Sequence, residues 1–151
     1  MESPIRDRHL KIHMKSQLAK RITAHEGYRP SVYKCTEGHD TIGIGFKVAD
    51  LELDEDVCEI ILMRKLQKIH YELAYEFKWY ATMPSIIRDV MLECCYQMGT
   101  KGWTKFKKAN KHLSERNWEK ASEEMLESKW ARQTPKRAQT LADIVKNCKD
   151  K

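Results

Sequence analysis

The sequence lacks any long run of apolar residues. None of its hydrophobic stretches approaches the roughly 18 consecutive residues that a membrane-spanning helix needs. The first twenty residues are charged throughout, so they lack the apolar centre of a secretory signal. We therefore expect a protein that is made in the cytosol and does not insert stably into a membrane.

Cysteine spacing typical of metal sites is also missing. No Cys-x-x-Cys pair occurs, and Cys94 and Cys95 are adjacent. The odd number of cysteines and a reducing compartment favour free thiols over a disulfide framework. His9 and His13 have no Cys or carboxylate partners at matching spacing, so we expect surface or packing roles for them. The five cysteines are Cys35, Cys58, Cys94, Cys95 and Cys148.

The composition is that of a soluble globular protein. Charged residues make up 33% and hydrophobic residues 41% of the 151 residues, a length typical of one compact domain with room for two lobes. Lys and Arg outnumber Asp and Glu by 28 to 22, which gives a net charge of +6. This sign suits a polyanionic partner such as nucleic acid, an anionic membrane surface or bacterial wall polymer. Charge alone does not choose among them, and an ordinary basic surface is an equal alternative.

Helical periodicity dominates both ends of the chain. Ser3-Pro4 is a helix start, and apolar residues at every fourth position predict an amphipathic helix that stops near Glu26-Gly27. Asp54 opens a second, longer helix. The apolar positions of these two helices are Leu10, Met14, Leu18 and Ile22, then Leu62, Leu66, Ile69, Leu73 and Phe77. Further helices are expected up to Gln97-Met98-Gly99, around Trp103 to Leu113, around Trp118 to Ser128, and from Pro135, capped by Thr134, to about Cys148.

A strand-rich stretch lies between these helical parts, from Tyr28 to Val48. Thr36-Glu37-Gly38-His39 predicts a hairpin turn. Gly43 and Gly45 alternate with apolar residues, and in a strand this pattern puts the apolar side chains on one face and leaves the other face bare. Bare backbone allows close approach by a ligand or by another chain segment.

The order of these elements predicts an α+β fold in a single domain. An N-terminal helix (1–26) leads into a small β lobe (27–53), and a connecting helix (54–79) leads on to a larger helical lobe (80–151). We expect the tryptophans of the helical lobe, Trp103, Trp118 and Trp130, to pack in its core rather than to stack on sugars. Five lysines between Lys101 and Lys111 are expected on a solvated face that could also attract an acidic polymer.

Glu26 is the first candidate for chemistry. It lies at a helix C-terminus, where the helix dipole disfavours a negative charge, and burial there would raise the pKa of its carboxyl further. A protonated carboxyl is what cleavage of a glycosidic bond requires, because the leaving oxygen must receive a proton. The facing sheet offers Cys35, Glu37, Asp40 and Thr41. The alternative is a surface glutamate that only ends a helix.

The segment from Glu26 to Gly45 resembles the active-site segment of the phage-type lysozymes of the T-even endolysin kind, glycoside hydrolase family 24. The family pattern is a Glu, eight residues, an Asp or Cys, five residues, then a Thr within Thr-Ile-Gly-x-Gly, and Glu26, Cys35 and Thr41 occupy these positions without a gap. The resemblance extends from about Ala19 to Val145. Its later blocks are Gln97-Met98-Gly99, then Phe106, Trp118, Trp130 and Gln133-Thr134-Pro135-x-Arg137-Ala138.

The resemblance implies a lysozyme-like fold with a cleft between its two lobes, and a role for each matched residue. Glu26 would be the general acid, and Cys35 and Thr41 would flank the water that attacks the anomeric carbon. Lysozymes of the T-even type invert the anomeric centre, which requires room for a water between acid and base, so the resemblance implies that these two groups lie roughly 6.5–9.5 Å apart. Gln97 would line the cleft, and Arg137 would hold the carboxyl of Glu26, although an adjacent arginine lowers a carboxyl pKa and opposes the effect of burial. Glu37 is expected to support the site from the hairpin.

Two positions depart from the T-even pattern. Cys35 stands where that type has Asp, and a neutral thiol is a poorer base than a carboxylate. It could still position water, act as a thiolate beside a cation, or, as a minor alternative, act as the nucleophile. Phe46 follows Gly45 where histidine is usual, which should affect packing or a salt bridge more than chemistry.

These observations predict a monomeric muramidase that hydrolyses the β-1,4 bond between N-acetylmuramic acid and N-acetylglucosamine in bacterial peptidoglycan. No metal, cofactor or nucleic acid is expected to take part. A separate holin, or delivery by a virion, would bring the enzyme to the wall. The alternatives are a catalytically weak lysozyme fold that binds glycan or protein, a lytic transglycosylase, and a basic nucleic-acid binder that would leave the Gly-rich hairpin unexplained.

Overall fold

The computed structural model describes residues 16–150, and the chain divides between Asp54 and Glu55 into two compact units. The first unit contains helix α1 (Ser16–Glu26) and the strands β1 (Arg29–Lys34), β2 (Asp40–Gly43) and β3 (Phe46–Lys47). The second unit is entirely helical. Helix-rich architecture with one small sheet near the N-terminus confirms the predicted α+β class.

Helix α1 ends where its sequence predicts. Its last residue is Glu26, and the backbone N–H of Gly27 donates to the carbonyl of Thr23 at 2.8 Å. Leu18 and Ile22 belong to this helix and are both exposed. The predicted start at Ser3-Pro4, the periodic residues Leu10 and Met14, and the two histidines His9 and His13 lie outside the described residues.

The three strands form an antiparallel sheet in the order β1-β2-β3. The hairpin turn predicted over residues 36–39 is confirmed, since it connects β1 to β2, in which Lys34 pairs with Asp40. The prediction of a continuous strand through Gly43 and Gly45 is wrong. The chain turns at residues 44 and 45, and Ile42 of β2 then pairs with Phe46 of β3.

The second unit begins with the long helix α2 (Glu55–Glu76), directly after Asp54 as predicted. Helix α3 (Ser85–Met98) then ends at Gly99, again as predicted. The remaining helices are α4 (Thr100–Trp103), α5 (Lys107–Ser114), α6 (Trp118–Leu126), α7 (Lys129–Gln133) and α8 (Pro135–Lys146), and short 3-10 turns occupy Val48–Asp50 and Tyr80–Thr82.

Three details of these helices differ from the sequence prediction. The helix expected around Trp103 to Leu113 is split, because the N–H groups of Lys105 and Phe106 bond three residues back and close a turn between α4 and α5. Helix α7 was not predicted at all. Thr134 stands at the start of α8 but does not cap it: its hydroxyl donates backward to the carbonyl of Trp130 at 3.1 Å.

The hydrophobic core lies in the helical unit. Trp103, Trp118 and Trp130 are all buried, which confirms that they are core residues. In residues 17–54, by contrast, Thr41 is the one buried residue. None of the helices in the described part of the chain is long and apolar enough to cross a membrane.

Two adjacent thiols belong to that core. Cys94 and Cys95 are buried in α3, and burial raises the pKa of both, that of Cys95 to about 12. A thiol with a raised pKa stays protonated and unreactive near neutral pH. These two cysteines therefore act as small apolar side chains.

Candidate active site

Glu26 projects from the end of α1 toward the turn between β2 and β3. A Cβ atom added at Gly45 would lie 2.7 Å from Oε2 of Glu26. The bare backbone that the sequence indicated is thus approached by the candidate acid itself. The Glu26 side chain is exposed, so the desolvation expected from burial is not provided in this structure.

Cys35 is held by the turn that follows β1. Its N–H donates to the carbonyl of His39 at 2.9 Å, and its carbonyl accepts from the N–H of Gly38 at 2.8 Å. Both backbone groups of Cys35 are therefore hydrogen-bonded within the turn.

The same turn directs hydrogen-bond donors at the sulfur. The backbone N–H of His39, then that of Glu37, lowers the pKa of the Cys35 thiol, and a hydrogen bond from the Thr41 side chain acts in the same direction. Desolvation and the nearby Glu37 carboxylate oppose them without reversing the shift. Donors directed at a sulfur favour its thiolate form. Sequence reasoning had looked for a neighbouring cation and missed these backbone groups, which the Gly38 turn provides.

Thr41 connects this turn to the sheet. It lies in β2 opposite Tyr33 of β1, and only 5% of its surface is exposed. Its hydroxyl has two acceptors within reach, the Cys35 sulfur and the carbonyl of His39 at 3.1 Å, and its one proton can go to either of them. The structure therefore brings Cys35 and Thr41 together, as the hairpin predicted.

Glu37 lies on the outside of the hairpin. Its carboxylate is 3.8 Å from Nε2 of His39, and both side chains are exposed. A second ion pair, between Lys34 and Asp40 at 2.8 Å, joins the ends of the two strands. Glu37 thus acts on Cys35 through its charge and its backbone N–H.

Phe46, the residue in place of the usual histidine, packs on the sheet backbone. A Cβ atom added at Gly43 would lie 2.8 Å from Cδ2 of this ring. The ring occupies the space that the glycine leaves open, so its position depends on that glycine.

Gln97 and Arg137 belong to the helical unit, and each has a partner there. The indole Nε1 of Trp130 donates to Oε1 of Gln97 at 2.9 Å, and Nε of Arg137 donates to Oε1 of Glu93 at 3.0 Å. Sequence reasoning missed both partners because each pair joins positions more than 30 residues apart. The contact of Arg137 with Glu26 stays a prediction.

A basic groove of about 670 Å³ also lies in the helical unit. Three of the five lysines singled out in the sequence line it, namely Lys105, Lys107 and Lys108. Lys129 adds a fourth cation, Glu124 and Glu127 provide two anions, and Phe106 and Trp130 form an aromatic wall. The groove therefore combines positive charge with ring surface.

No group of three His, Cys, Asp or Glu side chains lies close enough to hold a metal ion within residues 16–150.

Comparison with known proteins identifies the family of the chain. The phage lysozyme family model matches residues 23–146, a range that includes Glu26, Cys35 and Thr41. Probable T4-type lysozyme 1 of Dictyostelium discoideum is 25% identical, over 87% of this chain and 95% of the relative. Probable T4-type lysozyme 2 of the same organism is 27% identical, over 87% and 94%. The chain, with its α+β lysozyme-like fold, therefore belongs to the phage lysozyme family.

Proposed function

We propose that this protein is a muramidase that hydrolyses the β-1,4 bond between N-acetylmuramic acid and N-acetylglucosamine in peptidoglycan. Family membership supports a lysozyme activity. The observation that carries the specific proposal is that one unit of the chain holds the Glu26 carboxyl against bare backbone and a thiol–hydroxyl pair on the neighbouring hairpin. Its relatives in Dictyostelium discoideum are named as lysozymes, so family membership alone does not imply host lysis, and the need for a holin or virion stays a prediction.

Glu26 is the proton donor in this proposal. The leaving sugar oxygen must receive a proton as the glycosidic bond breaks. Glu26 is the last residue of α1. Close contact with Gly45 restricts where its carboxyl can lie, and fixed orientation is a large part of catalytic efficiency.

Cys35 and Thr41 position the attacking water in this proposal. A thiolate supported by backbone N–H groups can accept a hydrogen bond from water, and it can take up the proton as the water attacks. Glu26 and Cys35 lie beyond opposite ends of the six-residue strand β1. The resemblance to the T-even lysozymes assigns inversion, in which a water lies between acid and base, whereas a retaining mechanism needs carboxyl and nucleophile only about 5 Å apart.

Gln97 and the basic groove are assigned to substrate binding, and Arg137 is assigned to the support of Glu26. Peptidoglycan carries carboxylates, and a groove with four lysines and two glutamates offers net positive charge to them. The side chain of Gln97, fixed by Trp130, offers an amide to a sugar. Arg137 is already oriented by Glu93, and we assign to it the electrostatic support of Glu26.

The test is clearing of purified peptidoglycan in a turbidity assay and in a zymogram. Wild type should clear the substrate, and Glu26→Gln should lose the activity by at least about a hundredfold, since removal of a general acid costs on the order of 10²–10⁴. Glu119→Gln, an exposed carboxylate at the start of α6, is the matched control and should retain the activity. Equal clearing by wild type and Glu26→Gln would exclude this mechanism.

Variants at position 35 separate the possible roles of the thiol. Cys35→Asp should retain or raise the activity, because a carboxylate accepts a proton from water at least as readily. Cys35→Ser should lower the activity, because a hydroxyl does not form the anion near neutral pH. If Cys35 were a covalent nucleophile, a glycosyl adduct would be trapped on it and detected by mass spectrometry. Anhydro-sugar product ends would instead identify a lytic transglycosylase.

The substitution of Cys35 for Asp favours one further candidate, a lysozyme fold that binds glycan with weak or no cleavage. Binding of wild type to purified sacculi without any release of soluble sugar would support this candidate. Release of new reducing ends at a rate that depends on Glu26 would exclude it.

A further inference from the structure

A second groove of the helical unit carries two exposed tyrosines that the proposed mechanism does not use. Tyr71 and Tyr75 lie on α2, and 64% and 77% of their surfaces are exposed. Residues four apart on a helix share one face, with Cβ atoms about 5–6 Å from each other. Both rings border a groove of about 850 Å³ between α2 and the segment that starts at Gly99.

The polar groups of this groove are balanced in charge. Lys68 and Lys101 contribute two cations, and Glu72 and Glu76 contribute two anions. The basic groove around Lys105, by contrast, has a surplus of positive charge. A balanced lining does not select a polyanion such as nucleic acid, and it suits a ligand whose main groups are hydroxyls and amides.

Fixed hydrogen-bonding groups complete the lining. Thr100 donates its hydroxyl to Oε2 of Glu72 at 2.5 Å, so the carboxylate is oriented and its other oxygen can accept from a ligand. The ammonium of Lys78 lies 5.4 Å from the centre of the Tyr75 ring, which restrains that side chain while most of it stays exposed. Large exposed rings beside a concave polar surface are typical of ligand-binding grooves.

We propose that this groove is a secondary binding site for the glycan strand of peptidoglycan. The apolar face of a pyranose ring packs on an aromatic face, while its equatorial hydroxyls and acetamido groups hydrogen-bond to side chains at the rim. Two rings one helical turn apart can contact neighbouring sugars of one strand, with Glu72, Thr100 and Lys101 at the edge. This inference rests on the proposed function for the identity of the polymer. A second binding site on the same strand would raise the local concentration of substrate at the cleaving site.

The binding test uses full-length Glu26→Gln protein and purified peptidoglycan sacculi. The added double substitution Tyr71→Ala and Tyr75→Ala should weaken sedimentation with sacculi about tenfold, given the usual contribution of aromatic contacts. Tyr71→Phe with Tyr75→Phe keeps both rings and should bind as the parent does. Alanine is well tolerated on an exposed helix face, and equal thermal unfolding midpoints establish that all variants fold. Equal binding of the Ala and Phe pairs would overturn the proposal.

A kinetic test distinguishes the groove from the cleaving site. Here Glu26 is left intact, and the double substitution Tyr71→Ala and Tyr75→Ala should slow the cleavage of intact sacculi several-fold. The same variant should cleave a soluble peptidoglycan tetrasaccharide at the wild-type rate, because this substrate is too short to occupy both sites. An equal loss of rate on both substrates would overturn the proposal. If wild type cleaves neither substrate, the proposed function fails, while sacculus binding still reports on the groove.

Two more measurements exclude other occupants and variant artefacts. Addition of the tetrasaccharide to the Glu26→Gln protein should shift the ring resonances of Tyr71 and Tyr75, and unchanged resonances at saturating sugar would overturn the proposal. If sedimentation velocity instead shows a wild-type dimer that the Ala pair disrupts, the groove is an interface between two copies of the chain, and the glycan assignment is wrong.

Discussion

Cys35 illustrates how a short turn sets the chemistry of one residue. Neighbouring N–H groups, rather than a cationic side chain, lower the pKa of its thiol. The same N–H groups would suit an aspartate, whose carboxylate also accepts from the backbone two residues ahead. The turn therefore explains in physical terms how Cys or Asp can serve at this position.

Alkylation provides a measurement of this effect. Because the pKa of Cys35 is lowered, its thiolate fraction at a given pH should exceed that of glutathione, and iodoacetamide should label it faster as the pH rises from 6 to 9. The pH midpoint of labelling should lie below that of the free thiol. Cys94 and Cys95, whose pKa values are raised, are internal controls that should stay unlabelled in the folded protein. Mass spectrometry measures the labelling of each cysteine. A labelling midpoint of Cys35 at or above that of glutathione would contradict the role assigned to the turn.

Gly45 is the second residue whose local geometry governs the site. Its φ of +68° is strained for a residue with a side chain, and a Cβ atom would collide with the Glu26 carboxyl. Gly45→Ala should destabilise the protein by about 1–2 kcal/mol and lower the turnover number by about a hundredfold, because displacement of a catalytic group by an ångström has that order of cost. Urea unfolding and turbidity clearing measure the two effects.

The matched control is Gly38→Ala. Its φ is +83°, but no atom lies within 4 Å of the added Cβ. It should show a similar loss of stability with a much smaller loss of turnover. Comparable turnover in the two variants would mean that the collision with Glu26 does not matter.

Among the helices, α7 and α8 differ in whether the hydroxyl of the preceding residue caps the first turn. Ser128 accepts from the N–H of Ala131 at 3.1 Å and caps α7. Ser128→Ala should therefore lower the free energy of unfolding by about 1 kcal/mol. Thr134 bonds backward to Trp130 instead, so Thr134→Ala should change stability by less than about 0.5 kcal/mol. Chemical denaturation of both variants measures the two free energies of unfolding. An equal loss of stability in the two variants would contradict the different roles given to Ser128 and Thr134.

The basic groove makes a prediction about salt. Replacement of Lys105, Lys107 and Lys108 by Gln should weaken binding to sacculi about tenfold at low ionic strength, with a flatter dependence on salt and little change in turnover. The control is the same change of charge at Lys120, Lys136 and Lys146, which are exposed and do not line the groove. An equal effect of both triple variants would show that only net charge matters.

The elements could be predicted where periodicity and end signals agree. Asp54 and Gly99 bound helices at the expected positions, and the Gly38 turn forms as its residues suggest. The split between α4 and α5 could not be predicted, because backbone bonds three residues back close a turn there inside an otherwise helical pattern. Gly43 and Gly45 both adopt positive φ, which glycine does at little cost. The chain therefore turns here instead of continuing the strand that the alternating pattern predicts.

The candidate site was predictable only in part. The spacing of Glu26, Cys35 and Thr41 matches the family pattern, and the short hairpin explains why the last two meet. The partners Glu93 for Arg137 and Trp130 for Gln97 depend on the packing of helices distant in sequence, which carries no local signal. The effect of backbone N–H groups on Cys35 depends on the conformation of a turn rather than on its residue types.

Across the whole molecule, burial is distributed unevenly. Among the side chains that the structure describes, the buried hydrophobic ones belong to residues 73–145, whereas residues 17–54 bury Thr41 alone. A fragment of residues 55–151 should therefore unfold cooperatively on heating, and a fragment of residues 1–54 should not. All four tryptophans lie in the longer fragment, so their fluorescence and far-UV circular dichroism measure its folding. A longer fragment that is unfolded at 25 °C would contradict this expectation.

This division has an evolutionary consequence. Changes at the proposed reacting groups, Glu26 and Cys35, remove no buried apolar side chain from the helical unit, where the described hydrophobic core lies. Thiol and carboxylate should therefore replace each other at position 35 with little loss of stability. The sequence of the sheet unit can therefore change its chemistry during evolution while the core of the helical unit keeps the fold stable.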